Sequence, residues 1–167
     1  MPTFYLDTSA LLKRYKTEEG TPVIDHLFKV LERPKNKAVI SFLTVLEVFA
    51  AGKRLLQGGV LQELEFSMLL RNFLADTTRY FVLRGLDAKL FVRAIELTLA
   101  HGLRTADALQ LATALELKGL LARSQEKLIF VVDDHELYNA ARQESLEVIN
   151  PRAEDARKRL EQLAKNC

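Results

Sequence analysis

The sequence has a single cysteine, Cys167, so no intrachain disulfide can form and a reducing cytosol suits the chain. No apolar run reaches the length of a membrane span, and the longest candidate, AVISFLTVLEVFAA (38–51), carries Glu47 in its midst. The start of the chain lacks a basic segment followed by an apolar one, which argues against secretion. Charge of one sign is lacking too. With 24 basic and 22 acidic residues the net charge is +2, so any affinity for nucleic acid must come from where the charges sit. There is no internal repeat, no low-complexity tract and no linker long enough to divide the chain. No G-x-S-x-G, C-x-x-C or phosphate-cradling glycine loop occurs, and His26, His101 and His135 lack ligand spacing. What is present is 49% hydrophobic content over 167 residues, enough for the core of one compact domain. The expectation is a soluble, cytoplasmic protein.

Short β-like runs alternate with longer helical patterns. Strands are expected at 3–6, 38–42, 79–83, 128–132 and 146–149, and helices near 9–16, 21–32, 44–56, 61–76, 86–101, 105–122 and 135–143. Pro151 is expected to begin a last, charged helix whose apolar stripe is Ala153, Ala156, Leu160, Leu163 and Ala164. Such alternation predicts an α/β fold, a parallel sheet with helices on both faces. In open parallel sheets, sites form beyond the carboxyl ends of the strands.

Acids stand at those ends. Asp7, in YLDTSALL, follows the first strand; it, Thr8 or Ser9 could simply cap the next helix, or Asp7 could belong to a site. Glu47, in SFLTVLEVFAA, completes a T-x-x-E pattern with Thr44, which reads as a capping box but also puts a carboxylate near the sheet edge. Asp107 falls in the first turn of a helix that is apolar on nearly every face, with Thr105 as its expected cap. Asp107, Gln110 and Thr113 give that helix a polar seam that capping does not require. In FVVDDHEL, one of Asp133 and Asp134 is expected to cap the helix at His135 and the other to face the site. Two carboxylates about 4 Å apart repel by roughly 4 kcal/mol at an effective dielectric of ~20, so several can share a cleft only with protons or cations. Oxygen-only ligands point to a hard cation, Mg2+ or Mn2+.

Taken in order, YLDTSAL, S-x-L-T-x-x-E, LRTADALQLATAL and FVVDDHEL resemble the motifs of PIN-domain proteins, close to the VapC-type toxins of toxin–antitoxin modules. They span residues 5 to 137, nearly the whole chain. The resemblance implies a three-layer α/β/α sandwich around a parallel sheet of about five short strands. It assigns residues 1–150 to a PIN-like nuclease domain, with 151–167 as a charged helix of the same domain. Carried over by position, the family's acidic quartet falls on Asp7, Glu47, Asp107 and Asp134, serving as catalytic and metal-binding residues, and its small hydroxyl residue falls on Ser9. Two departures stand out. Val132 occupies a position where the family commonly has Ser or Thr, leaving Asp133 as a rival fourth acid, and Gln110 stands where relatives often carry histidine.

The implied activity is metal-dependent endoribonuclease cleavage of RNA, in a toxin held inactive by a cognate antitoxin and forming a homodimer. Alternatives are a housekeeping RNA-processing PIN nuclease, or a non-catalytic domain that only binds RNA or a partner. A receiver-type phosphoacceptor fits less well, because the adjacent acid pair comes after the fourth strand rather than the first. Substrate phosphates would meet basic residues near the acids: Arg104 and Lys13 first, then Arg14, Lys16, Lys53 and Arg54.

Overall fold

The structure is a computed structural model that describes residues 2–33 and 36–165. Cys167 lies outside the described residues. Five strands, β1 (Pro2–Leu6), β2 (Lys37–Ser41), β3 (Phe81–Arg84), β4 (Lys127–Val131) and β5 (Glu147–Ile149), form one parallel sheet in the order β3-β2-β1-β4-β5. The chain winds outward from β1 to β2 and β3, then returns to lay β4 and β5 on the other side. That reversal opens a crevice at the carboxyl ends of β1 and β4, where such sheets bind ligands.

Helices α1 (Thr8–Leu11), α2 (Thr21–Leu31), α3 (Phe42–Gln57), α4 (Glu63–Tyr80), α5 (Ala88–His101), α6 (Thr105–Ala122), α7 (His135–Gln143) and α8 (Ala156–Lys165) make the crossovers and outer layers. A 3-10 turn over Leu12–Arg14 extends α1. The period-2 geometry of strands sends alternate side chains to opposite faces. Phe4, Leu6, Ile40, Ile129 and Val131 pack on Leu27 and Phe28 of α2, Phe73 of α4 and Leu160 of α8. Tyr5, Val39, Phe130 and Val148 face Leu97 of α5, Leu111 of α6 and Leu137 of α7. Each large apolar side chain buried in these layers contributes about 1.5–3 kcal/mol.

The architecture is the expected α/β/α sandwich, with local shifts. β2 ends at Ser41 rather than 42, and α3 starts at Phe42, because the Ser41 hydroxyl accepts the Thr44 N–H at 3.0 Å and caps the helix. The expected Thr44–Glu47 capping box therefore does not form, and Glu47 moves into the second turn. The cap position of α6 belongs to Arg104, with Thr105 as the first helical residue. Helix α4 runs through Tyr80, whose ring meets Phe28 edge-on at 5.2 Å, so β3 begins later than expected. Residues 151–155 form turns, and α8 begins only at Ala156.

Candidate active site

The crevice between β1 and β4 holds a cavity of about 210 Å3 lined by Asp7, Glu47, Asp107 and Asp134. Four segments deliver them: the β1–α1 junction, the second turn of α3, the first turn of α6 and the β4–α7 turn. Asp7 is held tightly. Its backbone N–H continues the β1–β4 ladder to the Val131 carbonyl at 3.0 Å, and its Oδ2 accepts the Ser9 N–H at 3.0 Å and the Ser9 hydroxyl. Asp7 therefore caps α1 and lines the cavity at once, so the two readings of YLDTSALL coexist.

Ser9 does more than touch Asp7. Its oxygen accepts the backbone N–H groups of both Asp133 and Asp134, each at 3.2 Å, stitching the β1–α1 junction to the β4–α7 turn. Asp134 Oδ1 accepts the Leu137 N–H at 2.9 Å, so Asp134 also combines capping with a place on the cleft wall. The expectation that one neighbour caps while the other faces the site is thus corrected: a single residue has both positions. Asp133 turns instead to Lys13 Nζ at 2.9 Å and Arg152 Nη2 at 2.7 Å.

That pairing also corrects the role expected of Lys13. Its ammonium is fully buried and bound to Asp133, to Glu18 at 3.0 Å and to the Glu19 carbonyl at 2.8 Å, so it cannot meet a substrate phosphate. Arg14 is engaged by Asp25 at 2.9 Å and lies over the Phe28 ring. Arg104 and Arg54, both exposed, do line the cleft.

Glu47 belongs to a polar seam that crosses the core. Its Oε2 accepts the Thr8 hydroxyl at 2.6 Å and the Gln110 amide at 3.1 Å. Gln110 is buried; its amide also donates to Thr44 Oγ1 at 2.9 Å, and its carbonyl accepts from Ser41 at 3.3 Å and from the Tyr5 hydroxyl. Sequence reasoning picked out the seam of α6 but missed Thr8, Tyr5 and Ser41 as its partners. A tyrosine in the fully buried strand PTFYL was the available signal, since a buried hydroxyl needs a partner. Thr113 bonds the Leu109 carbonyl of its own helix at 2.8 Å, and Val132 is buried in the core, so no hydroxyl from that position reaches the cleft. The histidines are engaged elsewhere: His101 with Glu144 at 2.9 Å, His135 with Asn139 at 3.0 Å, and His26 beside Glu161 at 3.5 Å.

Electrostatics follow from this crowding. Burial, and after it the charges of Glu47 and Asp107, push the Asp7 carboxyl up to about 7 against the pull of its Ser9 hydrogen bonds. Partial burial and then Asp134 push Asp107 up to about 6, with Arg104 acting the other way and Glu47 and Glu136 adding to the rise. Among the described residues no three His, Cys, Asp or Glu side chains form a ready-made ligand set. Hydrogen bonds draw Glu47 and Asp134 to protein partners, and the cleft is lined with donors rather than closed into a coordination shell. The donors nonetheless fit a hard divalent cation: all are oxygens, and burial together with neighbouring acids holds the Asp7 and Asp107 carboxyls above their ordinary value, a cost that a bound cation would offset.

A doubly wound parallel sheet with an acidic cleft at its switch point defines the class. The model of the PIN domain matches residues 4–142, and the chain belongs to the PIN-domain family. No curated protein matches it. Among solved structures it is similar to FitAcB from Neisseria gonorrhoeae, at 20% identity over 89% of this chain and 97% of that one, with a TM-score of 0.62. VapBC2 from Rickettsia felis, bound to a DNA fragment from its promoter, is similar at 14% identity over 89% and 98%, TM-score 0.59. A toxin–antitoxin complex from Klebsiella pneumoniae is similar at 20% identity over 88% and 96%, TM-score 0.56.

Proposed function

We propose that this protein is a metal-dependent endoribonuclease acting as the toxin of a type II toxin–antitoxin module. What supports this most is the convergence of Asp7, Glu47, Asp107 and Asp134 on one cleft at the switch point of a PIN-domain sheet. The four carboxylates would hold Mg2+ or Mn2+. Such a cation supplies Lewis acidity, activating water and steadying charge on the scissile phosphate. The chain's own residues do the rest. Ser9 holds Asp7 and the 133–134 turn in fixed relation, and Thr8 with Gln110 orients Glu47. Arg104 and Arg54, at the rim, carry the charge needed to hold RNA phosphates.

The toxin reading draws on the similar structures, among them a toxin–antitoxin complex, and implies a cognate antitoxin partner. A homodimer fits the exposed apolar stripe of Phe91, Ile95 and Leu99 on α5. No described helix is long and apolar enough to cross a membrane. The decisive experiment incubates purified protein with total RNA in Mn2+, in EDTA, and with an Asp7→Asn variant in Mn2+. Cleavage confined to the wild type with Mn2+ is expected; identical products in all three reactions would overturn the reading.

A further inference from the structure

The Glu47 carboxylate uses its two oxygens differently. Oε2 accepts both the Thr8 hydroxyl at 2.6 Å and the Gln110 amide at 3.1 Å, whereas Oε1 accepts no hydrogen bond among the described residues. One oxygen is held and the other is left for the cleft that Glu47 lines. The holding depends on which way round Gln110 sits. An ionised carboxylate can only accept, so Gln110 must turn its NH2 toward Glu47. Its two hydrogens then serve Glu47 and Thr44 Oγ1, the latter at 2.9 Å, and its carbonyl oxygen accepts from Tyr5 and Ser41. Turned over, the amide would set its oxygen against the carboxylate and leave Glu47 with Thr8 alone.

What fixes the orientation is the donor at the carbonyl end. Ser41 is the weaker of the two: it lies 3.3 Å away, and its hydroxyl is also 3.1 Å from Thr44 Oγ1. Tyr5 is held rigidly. It stands fully buried in the central strand, two residues before Asp7, with its ring stacked on Phe130 at 5.2 Å. Phenylalanine would fill the same space, as Phe130 does at the paired position of β4, and a buried hydroxyl is a cost unless its bond is made. Here the bond leads, through Gln110, to Glu47.

We propose that Tyr5 is a positioning residue of the acidic cleft: its hydroxyl fixes the Gln110 amide, and that amide holds Glu47 by one oxygen while the other stays open to a cation. The proposal rests on the cation site of the nuclease reading above. Tyr5 itself touches neither substrate nor cation. It acts by disfavouring the reversed amide, in which Glu47 would lose a donor and face an oxygen instead. Strand β1 thereby sets two of the four acids, Asp7 at its own end and Glu47 through the Tyr5 hydroxyl.

The test measures Mn2+ binding by water-proton relaxation, which follows weak as well as tight sites, in wild type, Tyr5→Phe, Glu47→Gln and the double variant. Tyr5→Phe should weaken binding about tenfold, the lower end of what supporting contacts contribute. In the Glu47→Gln background the same substitution should change affinity by less than about twofold, because the carboxylate through which Tyr5 acts is gone. A hydroxyl that serves only the core would weaken both backgrounds alike, or neither. Either result overturns the proposal and leaves the nuclease reading in place. Should Glu47→Gln bind too weakly to measure, the Gln110 side-chain NH2 resonances decide: Tyr5→Phe should reduce their shift on adding Mg2+, and an unchanged shift overturns the proposal. Thermal melts check folding; if Tyr5→Phe does not fold, Gln110→Met, which removes the amide, takes its place in the same cycle with the same two outcomes. A wild type that binds no Mn2+ removes both the proposal and the cation site it rests on.

Discussion

The Lys13 ammonium lies 2.9 Å from the Asp133 carboxylate, and neither side chain is more than 7% exposed. The pair ties the 3-10 turn after α1 to the β4–α7 turn that carries Asp134. Gly20 leaves room for it: at φ +91° it adopts a left-handed conformation, and a Cβ there would sit 3.2 Å from the Lys13 side chain and 3.0 Å from Pro151. Removing one member of a buried ion pair costs about 3–5 kcal/mol where the other is left unpaired, and Arg152, 2.7 Å from Asp133, softens that loss here. Lys13→Met should lower unfolding free energy measurably, by less than that amount, in urea titration, and an unchanged midpoint would contradict the buried pairing.

Ser9 links Asp7 to the 133–134 turn by hydrogen bonds on both sides. Ser9→Ala removes those bonds and leaves all four acids in place. Loss of such supporting contacts typically weakens metal affinity by about 10–100-fold. Calorimetric titration with Mn2+ should show a weakening in that range while the thermal midpoint moves little. Wild-type Mn2+ affinity would rule out a supporting role for Ser9.

Asp7 and Asp107 give the cation-free protein a signed pH dependence. Their carboxyls are raised to about 7 and about 6 in the fold, from 3.8 for a free aspartate. Between those values the folded state binds more protons than the unfolded chain, so stability is full below about pH 4 and falls as pH rises through 6 to 7. Melting in EDTA should therefore give a lower midpoint at pH 8 than at pH 5, as far as these two groups govern it. Asp7→Asn should raise the pH 8 midpoint by several degrees and flatten the profile. Added Mn2+ at pH 8 should stabilise the wild type more than the variant. A variant melting below wild type at pH 8 in EDTA would contradict this account.

Arg104 is exposed on the cleft wall and is one of the charges acting on Asp107. As a phosphate contact it should contribute one unit of counterion release. Arg104→Ala should weaken RNA binding at low salt and reduce the slope of log affinity against log salt by about 1. Equal slopes for the two proteins would remove Arg104 from the interface.

Much of this architecture was legible in the chain. Strand and helix order followed from alternation of short apolar runs with longer amphipathic ones, because backbone hydrogen bonding permits few other arrangements. Boundaries were read less well where one residue serves two purposes. Ser41 reads as the interior of a strand until its hydroxyl is seen capping α3, and that choice moved Glu47 by a turn. The adjacent Asp133 and Asp134 could not be told apart either, since their roles depend on Lys13 and Arg152, cations from remote positions.

By itself the sequence determined the parallel α/β architecture, which rests on local periodicity, and offered acids near strand ends and helix starts, from which the resemblance to PIN-domain motifs picked Asp7, Glu47, Asp107 and Asp134. Only the tertiary structure decided which charges meet. It buried Lys13 against Asp133, left Arg104 and Arg54 at the cleft, and made Gln110 the hub joining Tyr5 to Glu47. Contacts of that kind are set by how segments far apart in the chain pack over a common sheet, and no local pattern encodes the partner a buried polar group will find.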